Sequence, residues 1–535
     1  MKKILFTASF TFIIIQSVIC QLTSSHLPVF IIDTHGETIA DEPKITANLK
    51  VIFHGDGITN NISDTIYHYN NDIGIELRGN SSQYYPQKQY GIETRDNTTG
   101  DDLKVTLLNM PEESDWVLYA PYNDISMLRN VVIYDLWNKM GHWGPRTKFC
   151  ELILNGSYQG IYLLTETIKR DKNRLDIAKL TETDTSGRNL TGGYIMKIDK
   201  KNNDNDLSFT SSVLATNNSS NITWLYHYPK PDNILPSQRE YIHKYIDTVE
   251  TVIQSTNFAN PVLGYSNYID VQSFIDYFII TEFSNNVDGY KASAYFYKEK
   301  DAGDGTKGLL KAGSVWDYNF ALGNASFCNG GRYNAWVYRN CSPPTLPIPK
   351  IWARLLEDPY YANAVKCRYL ELRDSYLSTS YINSLIDTYA NDTIADAKSR
   401  HFNKWQILGT NPGYFNAYIV NSYAEEMTKL KSWISNRLIW MDNNLGGTCL
   451  SANSSSCADI ENIKIYPNPA NDNIRLKSKM EIYFVEIYNT LGQRVMTINY
   501  NEQNYVIDIA SLPAGLYFIS IHTDKRLYNR IFEKY

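Results

Sequence analysis

The chain has 535 residues, 43% of them hydrophobic and 20% charged. That is enough apolar material to bury a large core and to divide into more than one domain, which excludes disorder as the default. A net charge of −6 spread without obvious blocks argues against a general nucleic-acid or anionic-membrane surface.

In chain order, MKKILFTASFTFIIIQSVICQ opens with two lysines, runs apolar from Ile4 to Ile15 and then turns small and polar. This is the layout of an export signal, and it predicts removal of residues 1–20. The apolar stretch is short for a bilayer-spanning anchor, and no later segment is apolar for long enough to span a membrane. Val18-Ile19 before Cys20 lacks the small residue of a lipidation site. Beyond Cys20 remain Cys150, Cys328, Cys341, Cys367, Cys449 and Cys457, an even set that predicts disulfides in an oxidising compartment. Local pairs Cys328–Cys341 and Cys449–Cys457 would leave Cys150 for Cys367, although spacing does not fix connectivity. No CxxC or Cys/His cluster points to zinc.

"IGIELRGNSS" reads as a strand with Ile73, Ile75 and Leu77 on one face, running into a polar loop. "KQYGIET" is the next strand, with Lys88 at its start beside Tyr90 and Ile92. "DISMLRNVVIYDLWNKMG" predicts an amphipathic helix, with Asp124 as N-cap and Gly141 as stop. "CELILNGSYQGIYLLTETIKR" predicts a hairpin turning at Asn155-Gly156. "YIDVQSFIDYFIITEF" has helical spacing and ends before Asn285; Asp288 follows it, then the strands "ASAYFYK" and "GLLKAGSVW", the second delivering Asp317. The stretch to Leu445 reads as mainly helical. "GGTCLSANSSSCADIEN", residues 446–462, reads as a linker, and alternation in "EIYFVEIYNTLGQRVMTI" and "YVIDIASLPAGLYFISIHT" predicts a small β-sandwich.

A helix, a loop aspartate, a strand pair and a second aspartate form the order that phosphoryl transfer needs: one carboxylate accepts the proton of the attacking hydroxyl, and another holds magnesium on the phosphates. Each residue also has a plainer reading. Asp288-Gly289 is a common turn pair, and Asp317 with Asn319 suits a solvated strand face. Lys88 suits a lysine snorkelling to water, Glu166 an ion pair, and Asp124 with Arg129 a cap and a packing salt bridge.

"ELRGNSSQYYPQKQYGIET", "DWVLYAPYNDISMLRN", "ELILNGSYQGIYLLTETIKRDKNRLDI", "GGYIMKID", "NNVDGY" and "VWDYNFALGN", in this order, resemble the spore coat protein H (CotH) kinase family across Leu27 to Leu445. "YPNPANDNIRL", "IYNTLGQRV" and "LPAGLYFISI" resemble the sorting domain of the type IX (Por) secretion system. The resemblance implies an α+β, two-lobed atypical protein-kinase-like domain over residues 21–445 and a small all-β, immunoglobulin-like sandwich over 463–535. It implies ATP and Mg²⁺ (or Mn²⁺) as cofactors, a protein phosphoacceptor, the type IX machinery as partner, and a secreted or cell-surface location.

By motif, Asp288 resembles the catalytic aspartate, and Asp317 with Asn319 the metal-binding segment. Arg78, Ser81 and Lys88 fall where phosphate binding is expected, Lys197 competes with Lys88 for that charge, and Glu166 is placed near an adenine amine. Asn319 stands where the family commonly has a second aspartate, and Ser293 where a kinase loop has a metal-binding asparagine. An inactive pseudokinase serving as a surface binding or structural protein is therefore the alternative reading. A hydrolase pairing Asp288 with Asp317 is a third.

Overall fold

Between Val29 and Glu166, seven strands close into a barrel, in the order Val29–Asp33, Ile45–Ile52, Tyr69–Arg78, Gln89–Thr94, Asp115–Tyr119, Ser157–Glu166 and Thr147–Leu154. The last strand pairs in parallel with the first, so the sheet has no open edge. Alternation sends Ile73, Ile75, Ile92 and Leu118 inward to join Phe30, Leu49 and Trp116. The hairpin turns at Asn155 and Gly156, both at positive φ (49° and 75°), as a two-residue turn matched to strand twist requires. Its second strand is covered on both sides, with Tyr162 and Leu164 in the barrel core and Ile161 and Leu163 in a second core. That double burial is why "GIYLLT" runs apolar without alternating.

The computed structural model describes residues 22–201, 206–214, 220–340, 346–449, 463–478, 481–489, 493–499, 505–523 and 527–535. The predicted export signal, most of the predicted linker, Cys341 and Cys457 lie outside them.

The second core lies between helices and an antiparallel sheet ordered Ser208–Leu214, Asn221–Tyr228, Tyr194–Ile198, Ala294–Lys298 and Leu310–Ala312. Helix Val271–Ser284 begins where the Asp270 carboxylate accepts the Ser273 N–H at 2.9 Å. It is buried on almost every side, with Phe274 against Phe296 at 6.0 Å, which accounts for its unbroken apolar run. Helices Pro359–Arg373 and Tyr423–Asn444 follow the predicted helical texture.

Three expectations need correction. The helix placed after Asp124 starts at Arg129; Asp124 still accepts the Arg129 N–H at 3.0 Å, but across an intervening turn. The strand expected to run through Trp316 stops at Ala312, so Asp317 and Asn319 do not share a strand face. The disulfide joins Cys367 to Cys449, with Cα atoms 4.9 Å apart, which overturns both Cys150–Cys367 and Cys449–Cys457. The chain leaving helix Tyr423–Asn444 passes so close to the Ala362 carbonyl that Gly447, at φ +87°, has no room for a side chain. That crossing brings Cys449 to Cys367, while Cys150 stays a free thiol inside the barrel. Cys328 is itself disulfide-bonded.

The C-terminal residues form two antiparallel sheets, Ile463–Tyr466, Asn473–Ser478 and Val506–Asp508 in one, and Arg494–Asn499, Ile482–Tyr488, Gly515–Thr523 and Leu527–Lys534 in the other. Ile474, Val485, Ile487, Ile507, Ile519 and Phe532 fill the core between them, as the alternation predicts. The predicted hairpin pairs Ile482–Tyr488 with Arg494–Asn499.

Candidate active site

Helix Val271–Ser284 ends at Asn285 in the left-handed conformation (φ 48°), and the next residues turn tightly. The Asn286 side chain accepts the Asp288 N–H at 3.2 Å, and the Asp288 carbonyl accepts N–H groups from Lys291 and Ala292, both at 2.9 Å. A Cβ on Gly289 would meet Thr281 at 2.6 Å, so the turn needs glycine there. The backbone thus makes the turn, and the Asp288 carboxylate is left 30% exposed with Lys291 Nζ 3.8 Å away.

Asp317 is held from behind by helix Arg129–Lys139. Its N–H donates to the Tyr134 hydroxyl at 3.1 Å, and the Tyr318 N–H donates to Asn130 Oδ1 at 2.6 Å. The same helix carries Arg129, whose buried guanidinium donates to the Ala321 carbonyl at 3.0 Å, the Tyr418 hydroxyl at 2.8 Å and Glu426 at 2.9 Å, and pairs with Asp124. These contacts fix the loop after Asp317, whose own φ of 61° is rare for a residue with a side chain. Asp317 itself is exposed.

Asp317 senses the charge of Asp288. Loss of surrounding water, followed by the charges of Asp288 and Asp199, pushes the Asp317 carboxyl up to about 7, against the pull of Arg78 and Lys200. Asp288 is also raised, first by desolvation, with Lys291 and Lys200 opposing and Asp199 adding. Burial lowers the Lys291 ammonium despite the Asp288 charge. At Lys197 burial is outweighed by Tyr295 and Asp199, and its pKa is raised.

Beside this pair lies a cavity of about 1120 Å³ lined by Arg78, Lys197, His227, Tyr295 and Trp316, among others. Arg78 sits 5.3 Å over the Trp316 ring, one residue from Asp317. Lys197 lies 3.3 Å from Asp199. The loop after Arg78 turns through Ser81–Tyr84, and its Asn80 side chain accepts from Lys200 at 3.2 Å, so it overhangs the lysine that faces both aspartates.

The structure thus brings Arg78, Lys197, Asp288 and Asp317 together. It places Ser81 on the overhanging loop. Lys88 donates to the Gln83 carbonyl at 2.7 Å, fastening that loop from below. Asn319 is 9% exposed, in a turn where its carbonyl accepts from Asn324 at 2.9 Å. Both Glu166 oxygens are occupied, by Arg146 at 2.8 and 2.9 Å and by Arg174 at 3.0 Å. Asp199, Lys200 and Lys291 escaped the sequence reading. Asp199 could have been found as the residue two beyond Lys197, where an extended chain returns to the same face.

Residues 75–441 match the family of CotH kinase proteins. The chain belongs to the CotH kinase family. Residues 464–532 match the secretion system C-terminal sorting domain, which marks this CotH-family chain for type IX secretion and for a secreted or cell-surface location. The inner spore coat protein H of Bacillus subtilis (strain 168) is 23% identical over 252 residues, 47% of this chain and 59% of that protein. The match thus spans less than two thirds of that relative. No helix among the described residues is long and apolar enough to cross a membrane.

Family membership suggests use of a nucleotide and a metal. Among the described residues no three His, Cys, Asp or Glu side chains form a metal cluster. Magnesium nevertheless needs only one or two carboxylates when phosphate and water complete its shell. The Asp317 carboxyl, raised by desolvation and by the Asp288 charge, beside a cavity carrying Arg78 and Lys197 fits a divalent cation bound together with a polyphosphate.

Proposed function

We propose that the chain is an atypical protein kinase acting outside the cytoplasm, moving the terminal phosphoryl group of ATP to a protein hydroxyl. In this reading residues 21–445 form the kinase-like unit, with the barrel and the helical region as its two lobes. Residues 446–462 are a linker, and 463–535 are the address read during export. Asp288 accepts the proton as the acceptor oxygen bonds to the γ-phosphorus and the bond to the β-phosphate oxygen breaks, leaving ADP. Its raised pKa makes it a better proton acceptor near neutrality. Asp317, with Asn319 close in sequence, would hold Mg²⁺ or Mn²⁺, which supplies charge neutralisation on the phosphates. Arg78 and Lys197 offset phosphate charge from the cavity side. The observation that carries this reading is the charge of Asp288 acting on Asp317, which follows Trp316 in the wall of the cavity that Arg78 and Lys197 also line.

A second reading, nucleotide binding without turnover, is favoured by Asn319 and Ser293, which remove two expected metal ligands. A melting-temperature titration with Mg-ATP followed by labelled-phosphate transfer separates the two. An active kinase shows an upward shift and transfer that Asp288→Ala lowers by about 10²–10⁴-fold. A shift without transfer supports the scaffold. No shift overturns both.

A further inference from the structure

Away from the cavity, three loops border the aspartates: residues 79–90, 320–340 and 405–421. Phe327 lies 5.8 Å from Lys291 Nζ, the lysine beside Asp288. Phe415 packs edge-on against Phe327 at 5.4 Å and Phe320 at 6.1 Å. Ala325 and Asn416 are joined by a β-bridge. A Cβ on Gly413 would sit 2.7 Å from the Tyr85 hydroxyl, which in turn feels the Asp317 charge. The loops therefore form one continuous rim that reaches both carboxylates. On either side of the Tyr85–Gly413 contact, Tyr84 and Tyr414 are 89% and 88% exposed, with Phe415 at 40%.

Rings this exposed contribute little to a core, and they cluster beside the chemistry rather than scatter. The three loops contain no aspartate or glutamate; their charged residues are Lys88, Arg332 and Arg339. Arg332 is exposed, and its carbonyl accepts from Asn285 at 3.0 Å, three residues before Asp288. An aromatic and weakly cationic rim, met at its edges by Asp41 on Gln83 and Glu425 on Asn421 at 2.8 Å each, complements a segment carrying apolar rings and carboxylates.

We propose that this rim docks the phosphoacceptor: a polypeptide segment whose hydroxyl residue is flanked by aromatic or large apolar side chains and by acidic ones. The proposal rests on the phosphotransfer reading for the identity of its occupant, but the binding it demands does not depend on turnover. The test is an array of short peptides with a central serine and one fixed residue at each flanking position, probed with the labelled full chain. Tyr84→Ser combined with Tyr414→Ser is the variant, since both side chains project into solvent and folding is preserved, as an unchanged melting temperature verifies. The expected result is selective retention of peptides flanked by Phe, Tyr or Leu and by Asp or Glu, weakened about tenfold in the double variant, with the Mg-ATP melting shift unchanged. Preference for basic flanks, retention indifferent to the variant, or binding of a soluble β-glucan in place of peptides overturns the proposal. Absence of a Mg-ATP shift in the unmodified chain counts against the kinase reading alone, because the peptide selection is read without nucleotide.

Discussion

Two ion pairs that join distant segments between Leu22 and Cys449 are buried, whereas the Glu486–Arg494 pair of the C-terminal sandwich reaches its surface. Arg129 reaches Glu426 across 297 positions, and Arg437 reaches Glu282 across 155, all four side chains fully or almost fully buried. In the sandwich, Glu486 meets Arg494 and His522, and the Arg494 side chain is 59% exposed. A buried ion forfeits hydration that only a complete set of partners replaces, so it admits few arrangements of the segments that carry it. A surface pair imposes no such condition. The loops around Asp288 and Asp317 are thus held by a few buried charges, and the sandwich by the alternation of its strands.

Substitution of Arg129 tests this contrast most severely. Arg129→Met leaves Asp124 and Glu426 buried without their cation, and is expected to cost about 3–5 kcal/mol in urea unfolding of the full chain followed by tryptophan fluorescence. A loss too small to resolve would mean that the buried network does not organise the region. Next in size, Cys367→Ser with Cys449→Ser should cost about 2–4 kcal/mol in the same assay, and reducing agent should shift the transition of that variant less than that of the unsubstituted chain, since the disulfide at Cys328 remains.

A subtler effect is expected at Asp317, whose carboxyl rises from the usual 3.8 to about 7. Between those values the folded chain keeps a proton that the unfolded chain has released. Stability contributed by this group is therefore present at low pH and lost as pH rises toward about 7. Asp317→Asn should flatten that part of a melting-temperature profile. Magnesium ions should stabilise the unsubstituted chain above about pH 7 and not near pH 4, because only the deprotonated carboxylate binds them. A profile unchanged by Asp317→Asn would show that Asp317 titrates normally. The smallest change is expected in the sandwich, where Arg494→Ala should leave the unfolding midpoint unmoved; a clear shift would erase the contrast between the two regions.

The same contrast explains what could be read from the sequence. The barrel strands, the Asn155-Gly156 turn and the sandwich hairpin depend on local periodicity and turn chemistry, and they were legible. The setting of Asp288 was legible too, because the apolar helix ahead of it and the strand behind it are both local signals. The left-handed backbone of Asp317 was not, since it is imposed by Tyr134 and Asn130 from a helix far upstream. Lys200 joins the site because strand Tyr194–Ile198 pairs with Ala294–Lys298, a register that spacing does not reveal, whereas Asp199 shares a face with Lys197. The Cys367–Cys449 link was hidden for the same reason, as it depends on two helices meeting.

That link has a mechanical consequence. Cys449 comes just after the last helix of the kinase-family match and before the sorting sequence, so tension applied from the C-terminal end passes through a covalent bond into helix Pro359–Arg373 before it can peel helix Tyr423–Asn444 away. A cut anywhere beyond Cys449 likewise leaves the two helices clamped. The cargo can be towed by its label and then parted from it without starting to unravel.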